Sequence, residues 1–233
     1  MQVTSERIRN VAVVGHGGSG KTTLVETLLH LAGATTRLGK VDDGTSILDT
    51  DLEEQKRHIS INLAVASFLH DGVKVNLLDT PGYADFAGDR EAALRVADAA
   101  IVVVDASAGV QVGTQSAWAD LDHRKEPRIV VVSRLDRENA DFDGVLGQLR
   151  EAYGIRVVPL HAPVGAHQGL AATIDLLHGT LVRGPKDPPG PMPEAERERV
   201  ADYRRRLIEA IVETDEELMT RYLDGKELGY DEL

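Results

Sequence analysis

The chain has 233 residues, 42% of them apolar, enough for one good core or one core with a small appendage. No run approaches the ~18 apolar residues of a membrane span, and the polar start from Met1 to Arg7 is no secretory signal, so a cytoplasmic, monomeric protein with no membrane contact is expected. A net charge of −12 opposes direct nucleic-acid binding, the lack of cysteine excludes disulfides and thiolate metal sites, and the eight histidines show no paired ligand spacing.

In chain order, the first element is an apolar run over 11–14, read as a buried strand. It leads into Gly15-His16-Gly17-Gly18-Ser19-Gly20-Lys21-Thr22, which fits the phosphate-binding pattern G-x-x-x-x-G-K-[ST]. In such a loop glycines let successive N–H groups converge on phosphate oxygens, Lys21 adds a point charge, and Thr22 offers a hydroxyl to Mg²⁺. Leu24, Leu28 and Leu31 recur at helical spacing over 21–32, so the loop opens a helix whose N-terminus favours anions. The polar segment 33–60 is too long for a passive connection.

A strand is expected near 62–69 and another over 73–78, delivering Asp79-Thr80-Pro81-Gly82. A helix near 89–97, a strand over 101–104 ending at Asp105, a helix over 114–123, a strand over 129–132 ending at Ser133-Arg134-Leu135-Asp136, and a helix over 141–153 follow. The short apolar runs read as strands of a largely parallel sheet, whose C-terminal ends form the ligand edge of an open α/β fold. Beyond Tyr153 the segment 155–160 offers one more strand, and the Pro-rich stretch 184–193 reads as a stiff linker. Val200, Tyr203, Leu207 and Ile211 make one helical stripe. Thr214-Asp215-Glu216-Glu217 reads as a capping box opening a second helix that Gly225 ends, and Arg204-Arg205-Arg206 as a solvated face. The expected division is a core over 1–160, a connecting segment over 161–193 and a helical part over 194–233.

The order of these motifs, with stretches 9–16, 79–86, 97–105 and 135–137, resembles translational GTPases, most closely elongation factor G and a group of its bacterial paralogues with Tyr after Asp-Thr-Pro-Gly. The resemblance implies an α/β P-loop NTPase fold with a small helical insert, lacking the final core strand and helix. It also implies GTP or GDP as ligand, Mg²⁺ as cofactor and the ribosome as partner. The implied nucleotide contacts are the loop residues Gly15 to Thr22, Thr23, Asp79, Thr80, Pro81, Gly82, Tyr83, Ser133, Arg134, Leu135 and Asp136. Catalytic roles fall to Lys21, Gly82 and Tyr83; Thr22, Ser60 and Asp79 would hold the metal, Asp79 through water.

Several positions depart from the family pattern. Ser60 stands for threonine and His58 for glycine in Arg57-His58-Ile59-Ser60-Ile61, with His58 expected to alter the loop's conformation. Tyr83 stands for the histidine that positions the attacking water; its phenol is a poor substitute, which implies slow hydrolysis, unless the ring simply packs beside the loop. Ser133 and Arg134 replace Asn and Lys of the base-reading motif, while Asp136 keeps the carboxylate that accepts from guanine N1 and N2. Arg134 can stack on the base as a planar cation, and Gly18 stands for aspartate. A non-hydrolysing switch or ribosome-binding module is the alternative reading, and a P-loop ATPase or kinase a more distant one.

Overall fold

The computed structural model describes residues 3–165, 167–226 and 228–233. They form two compact units, dividing after Arg134.

The first unit runs β1 (Ile8–Gly15), α1 (Lys21–Leu31), α2 (Leu52–Arg57), β2 (Ala64–His70), β3 (Val73–Asp79), α3 (Ala87–Leu94), β4 (Ala99–Asp105), α4 (Val112–Arg124) and β5 (Arg128–Ser133). The sheet order is β2-β3-β1-β4-β5. β1 lies parallel to β3 and β4, and β4 parallel to β5. The expected fold, a mostly parallel sheet with flanking helices, is thus present. Val13 aligns with Asp79, Gly15 with Val103, and Asp105 with Ser133. This shared direction brings the phosphate-loop pattern, Asp79, Asp105 and Ser133 to one edge of the sheet.

β2 alone runs antiparallel, paired with β3. Its cause is local: Asp71 and Gly72 both have positive φ, 47° and 79°, forming the two-residue turn whose twist matches a hairpin. Val13, Val25, Leu29, Leu48, Leu77 and Val103 close the core between α1 and the sheet. At the far edge β5 has one strand partner, and Ile129 is 53% exposed. Hydrogen exchange is therefore expected to be faster over 129–132 than over 11–14, where β1 is paired on both sides. Equal protection in both strands would show that something other than β4 covers that edge.

The second unit contains α5 (Phe142–Tyr153), β6 (His161–Val164), β7 (Ala172–Asp175), β8 (Thr180–Val182), β9 (Gly190–Pro191), α6 (Glu194–Val212) and α7 (Glu216–Leu223). The span 161–193, expected as a connecting segment, forms an antiparallel sheet in the order β6-β7-β8-β9, and the Pro-rich stretch supplies its last strand. Ala162, Ile174, Leu176 and Leu181 of this region pack against Val200 and Leu207 of α6. Segment 155–160 holds turns and no strand. The helical stripe is as expected, with Tyr203 and Ile211 flanking the buried pair.

The cap of α7 is Asp215 rather than Thr214: its carboxylate accepts from Glu217 N at 2.8 Å and Leu218 N at 3.0 Å, while the Thr214 hydroxyl donates to Ile211 O. Arg205 pairs with Asp202 and Glu209, and Arg206 with Asp202, as a solvated face requires. Among the described residues no helix is long and apolar enough to cross a membrane.

Candidate functional site

Between β1 and α1 the chain makes the loop its glycines permit. Gly20 enters α1 from the left-handed region, φ 93°, and a Cβ on Gly15 would strike the Val103 carbonyl. The first turn of α1 therefore points its free N–H groups into the loop, a geometry suited to phosphate. Lys21 folds back into this cradle, only 5% exposed, and donates to His16 O at 2.9 Å and Gly15 O at 3.2 Å. Burial lowers its pKa to about 8 despite the nearby Asp79 carboxylate, with Arg90 adding to the fall. An anion placed here would restore the charge that burial opposes.

Beside Lys21, four side chains bring oxygen together. Thr22 Oγ1 donates to Asp79 Oδ2 at 2.7 Å, Ser60 Oγ donates to Asp49 Oδ1 at 2.9 Å, and the two hydroxyl oxygens are 3.0 Å apart. The two hydroxyls are within hydrogen-bond distance of one another, so the Thr22 and Ser60 oxygens and both carboxylates form one continuous cluster. Asp79 Oδ1 and Asp49 Oδ2 are buried without hydrogen-bond partners among the described residues. Burial drives the Asp79 pKa up to about 7, against the Thr22 hydrogen bond and the Lys21 charge, and burial raises that of Asp49 too.

A hard divalent cation fits this donor set, because it would take up the surplus lone pairs and stabilise both carboxylates in their charged form. No group of three or more His, Cys, Asp or Glu side chains gathers as a metal site among the described residues. The cation would accordingly depend on hydroxyls, water and phosphate, as Mg²⁺ usually does.

Asp49 is a site residue that sequence reasoning missed. Two further missed acids shape segment 33–60. Glu26, fully buried on α1, accepts from Ile47 N at 2.6 Å, Ser46 Oγ at 2.8 Å and Gly39 N at 3.2 Å. Glu54, buried on α2, accepts from Asp51 N at 3.0 Å and from Ile61 N and Asn62 N at 2.9 Å each. Both carboxylates accept from backbone N–H groups that burial would otherwise orphan, and Glu26 takes the Ser46 hydroxyl as well. Ser60 is held between these anchors. His58, expected to change the loop's conformation, sits in the left-handed region at φ 54°, ψ 40°, a backbone path that a glycine adopts freely.

Opposite this segment, Gly82 packs so closely on Lys21 Nζ and Gly17 N that no side chain fits there. Thr80 is fully buried, its hydroxyl donating to Val13 O at 2.7 Å, so it fixes the strand end rather than facing the pocket. The ring of Tyr83 lies over Gly17, in the space a Cβ would occupy, and Tyr83 is 39% exposed. His16 turns its ring toward α4, Nδ1 accepting from Gly113 N at 3.2 Å. A cavity of about 130 Å³ remains, bounded by the loop and Lys21, Val41 and His58, Tyr83, and Arg134.

The base-reading positions divide. Ser133 donates to Ser19 O at 2.7 Å, tying β5 to the phosphate loop. Arg134, with φ 58°, pairs its Nη1 with Asp105 Oδ2 at 2.7 Å. Burial raises the Asp105 pKa, but hydrogen bonds from Ser107 and Arg134 outweigh it and hold the carboxyl below its ordinary value. The guanidinium expected to stack is thus already held at one edge by an ion pair. Leu135 and Asp136 belong to the second unit, where Asp136 is exposed in a turn.

A parallel sheet edge carrying a phosphate-loop pattern, a buried lysine and a Thr–Asp–Ser–Asp oxygen cluster defines a P-loop nucleotide-binding domain. Residues 6–222 match the family described as the elongation factor Tu GTP binding domain, and the chain belongs to that family. It is 42% identical over 221 residues to an elongation factor G-like protein of Mycobacterium tuberculosis, covering 94% of this chain and 30% of that protein. It is 34% identical over 233 residues to elongation factor G of Dehalococcoides mccartyi, covering 98% of this chain and 34% of the relative. A crystal structure from Thermus thermophilus superposes with a TM-score of 0.88 at 43% identity, covering 96% of this chain and 34% of that one. The chain thus spans about a third of the length of these relatives.

Proposed function

We propose that the chain is the GTP-binding domain of an elongation factor G-like translational GTPase, which holds Mg²⁺ with GTP or GDP, hydrolyses GTP slowly and works with the ribosome. The observation that carries this reading is the convergence of the Lys21 cradle with the four oxygens of Thr22, Ser60, Asp49 and Asp79. Loop N–H groups and Lys21 would bind the β- and γ-phosphates, and the Gly82 backbone would close on the γ-phosphate end. Mg²⁺, when bound, supplies charge neutralisation at the phosphates. Thr22 and Ser60 would face it directly, and Asp79 and Asp49 would orient its water shell. Arg134 would stack on the base while Asp136 accepts from guanine.

Titration with fluorescent GDP and ADP, with and without Mg²⁺, tests the proposal. Tight, Mg²⁺-dependent binding of GDP with ADP excluded is expected; equal affinity for the two bases would remove it. A second expectation concerns the base. Asp136→Asn should shift preference from guanine to xanthine nucleotides by at least about tenfold, because the amide offers N–H where xanthine's added carbonyl needs a donor. Unchanged GDP affinity with no binding of XDP would take Asp136 out of the base site. A non-hydrolysing switch is favoured by one observation, the Tyr83 ring resting on Gly17. Single-turnover hydrolysis with ribosomes separates the two readings.

A further inference from the structure

We infer that His58 is a positioning residue: it straps a flap of the segment 33–60 to the stretch that carries Ser60, and so slows release of the bound nucleotide. The inference rests on the nucleotide-site reading above and deepens it. The flap is residues 40–45, a self-contained turn closed by Thr45 N to Lys40 O, Gly44 N to Val41 O, and Lys40 N to the Thr45 hydroxyl, each at 3.0 Å. Glu26 anchors the chain on both sides of it, at Gly39 and at Ser46 and Ile47, but makes no bond inside it.

Arg37 reaches Thr45 O at 3.5 Å, and the flap is linked to the stretch that carries Ser60 through His58, whose Nδ1 lies 3.0 Å from Val41 O. A carbonyl can only accept, so Nδ1 carries the proton. Val41 O has two lone pairs and serves both Gly44 N and His58. Val41, Asp42, His58 and Ser60 all line the same cavity as Lys21 and Thr22, so the bond spans the pocket's wall. Two residues beyond His58, Ser60 enters the oxygen cluster.

The backbone at His58 shows why this residue does something a glycine would not. φ is 54°, a region where side chains are uncommon. A glycine would take this conformation with no steric penalty and no side chain, leaving the flap without its tie to the Ser60 stretch. Histidine accepts an unfavourable backbone geometry and gains a donor aimed at Val41.

The two effects separate experimentally. His58→Asn places Nδ2 the same number of bonds from Cα as Nδ1 and tolerates the left-handed region; His58→Gly relaxes the backbone but removes the donor. Two readouts apply to the parent and both variants: hydrogen exchange of residues 40–45 without nucleotide, and the release rate of fluorescent GDP with Mg²⁺. His58→Gly is expected to raise both by about fivefold, the scale of one lost hydrogen bond, and His58→Asn to stay within about twofold of the parent. If the parent binds GDP but His58→Gly leaves exchange and release unchanged, or if Asn behaves as Gly does, the strap is refuted while the nucleotide site stands. If the parent does not bind GDP, the nucleotide reading itself fails and the strap's role goes with it.

Discussion

Lys21→Ala is expected to weaken GDP binding by at least about 10²-fold, in a protein that remains folded. Lys21 is the buried cation of the loop, and charge-assisted hydrogen bonds to phosphate contribute about 1.5–3 kcal/mol each, so losing two of them reaches that range. The fold should survive because the side chain's own bonds are to two loop carbonyls, Gly15 O and His16 O, and removal of a buried charge also removes its desolvation cost. Calorimetric titration measures the affinity, and far-UV circular dichroism confirms the fold. Parent-like GDP affinity in a folded variant would mean that phosphate is bound elsewhere.

Tyr83→His is expected to raise GTP turnover by roughly 10²-fold while GDP affinity changes by less than about twofold. The imidazole can hold a water and accept or release its proton near neutral pH, and a positioned group of that kind contributes about 10²–10⁴-fold. Position adds to chemistry here, since the tyrosine ring is spread over Gly17 and is anchored to the loop by packing. GDP affinity should be spared because Tyr83 lies at the Gly82 end of the cavity, where a third phosphate would sit. Single-turnover assays with and without ribosomes read the effect. Flat turnover under both conditions would move any limit on hydrolysis to the segment around His58 and Ser60, or show that the tyrosine is competent.

Legibility in the sequence followed the range of the interactions. The buried strands announce themselves because parallel strands covered on both faces read as unbroken runs of Val, Ile and Leu, and the phosphate loop because its glycines answer to backbone geometry. The stripe of Val200, Tyr203, Leu207 and Ile211 is equally local, as it needs one helix and one face. Strands of two to four residues broken by Gly and Pro, such as β8 and β9, are too short for alternation to register, so 161–193 reads as a connector. The hairpin was marked by Asp71-Gly72, a turn signal that the apolar runs on either side overshadowed.

The site divides in the same way. Lys21, Thr22 and Asp79 stand in motifs with fixed spacing. Asp49, Glu26 and Glu54 do not, and in a chain with 38 acidic residues composition does not separate a buried carboxylate from a solvated one. What selects Glu26 is tertiary, since its donors at Gly39, Ser46 and Ile47 come near only when the segment folds over α1, whereas Asp49 and Glu54 take donors from within the segment itself or just after it. Two of them carried a clue: Glu26 stands beside Val25 on the face of α1 that also holds Thr22 and Leu29, and Glu54 stands three residues after Asp51 in the capping box that opens α2.

The strand order sets a timetable for the ribosome that makes this chain. β1 is the first strand of this sheet to emerge, yet it occupies the middle of the sheet, flanked by β3 and β4. β3 brings its own partner, because the β2–β3 hairpin closes through a two-residue turn on a scale of about 1–10 μs. β1 has no such neighbour at hand. With synthesis at about 5–20 residues per second, β4 is complete only several seconds after β1, and for that interval one flank of an apolar strand stays unpaired. A nascent chain arrested before Asp105 should therefore bind holdase chaperones through the stretch around Val11, Val13 and Val14, and one arrested well beyond β5 should release them.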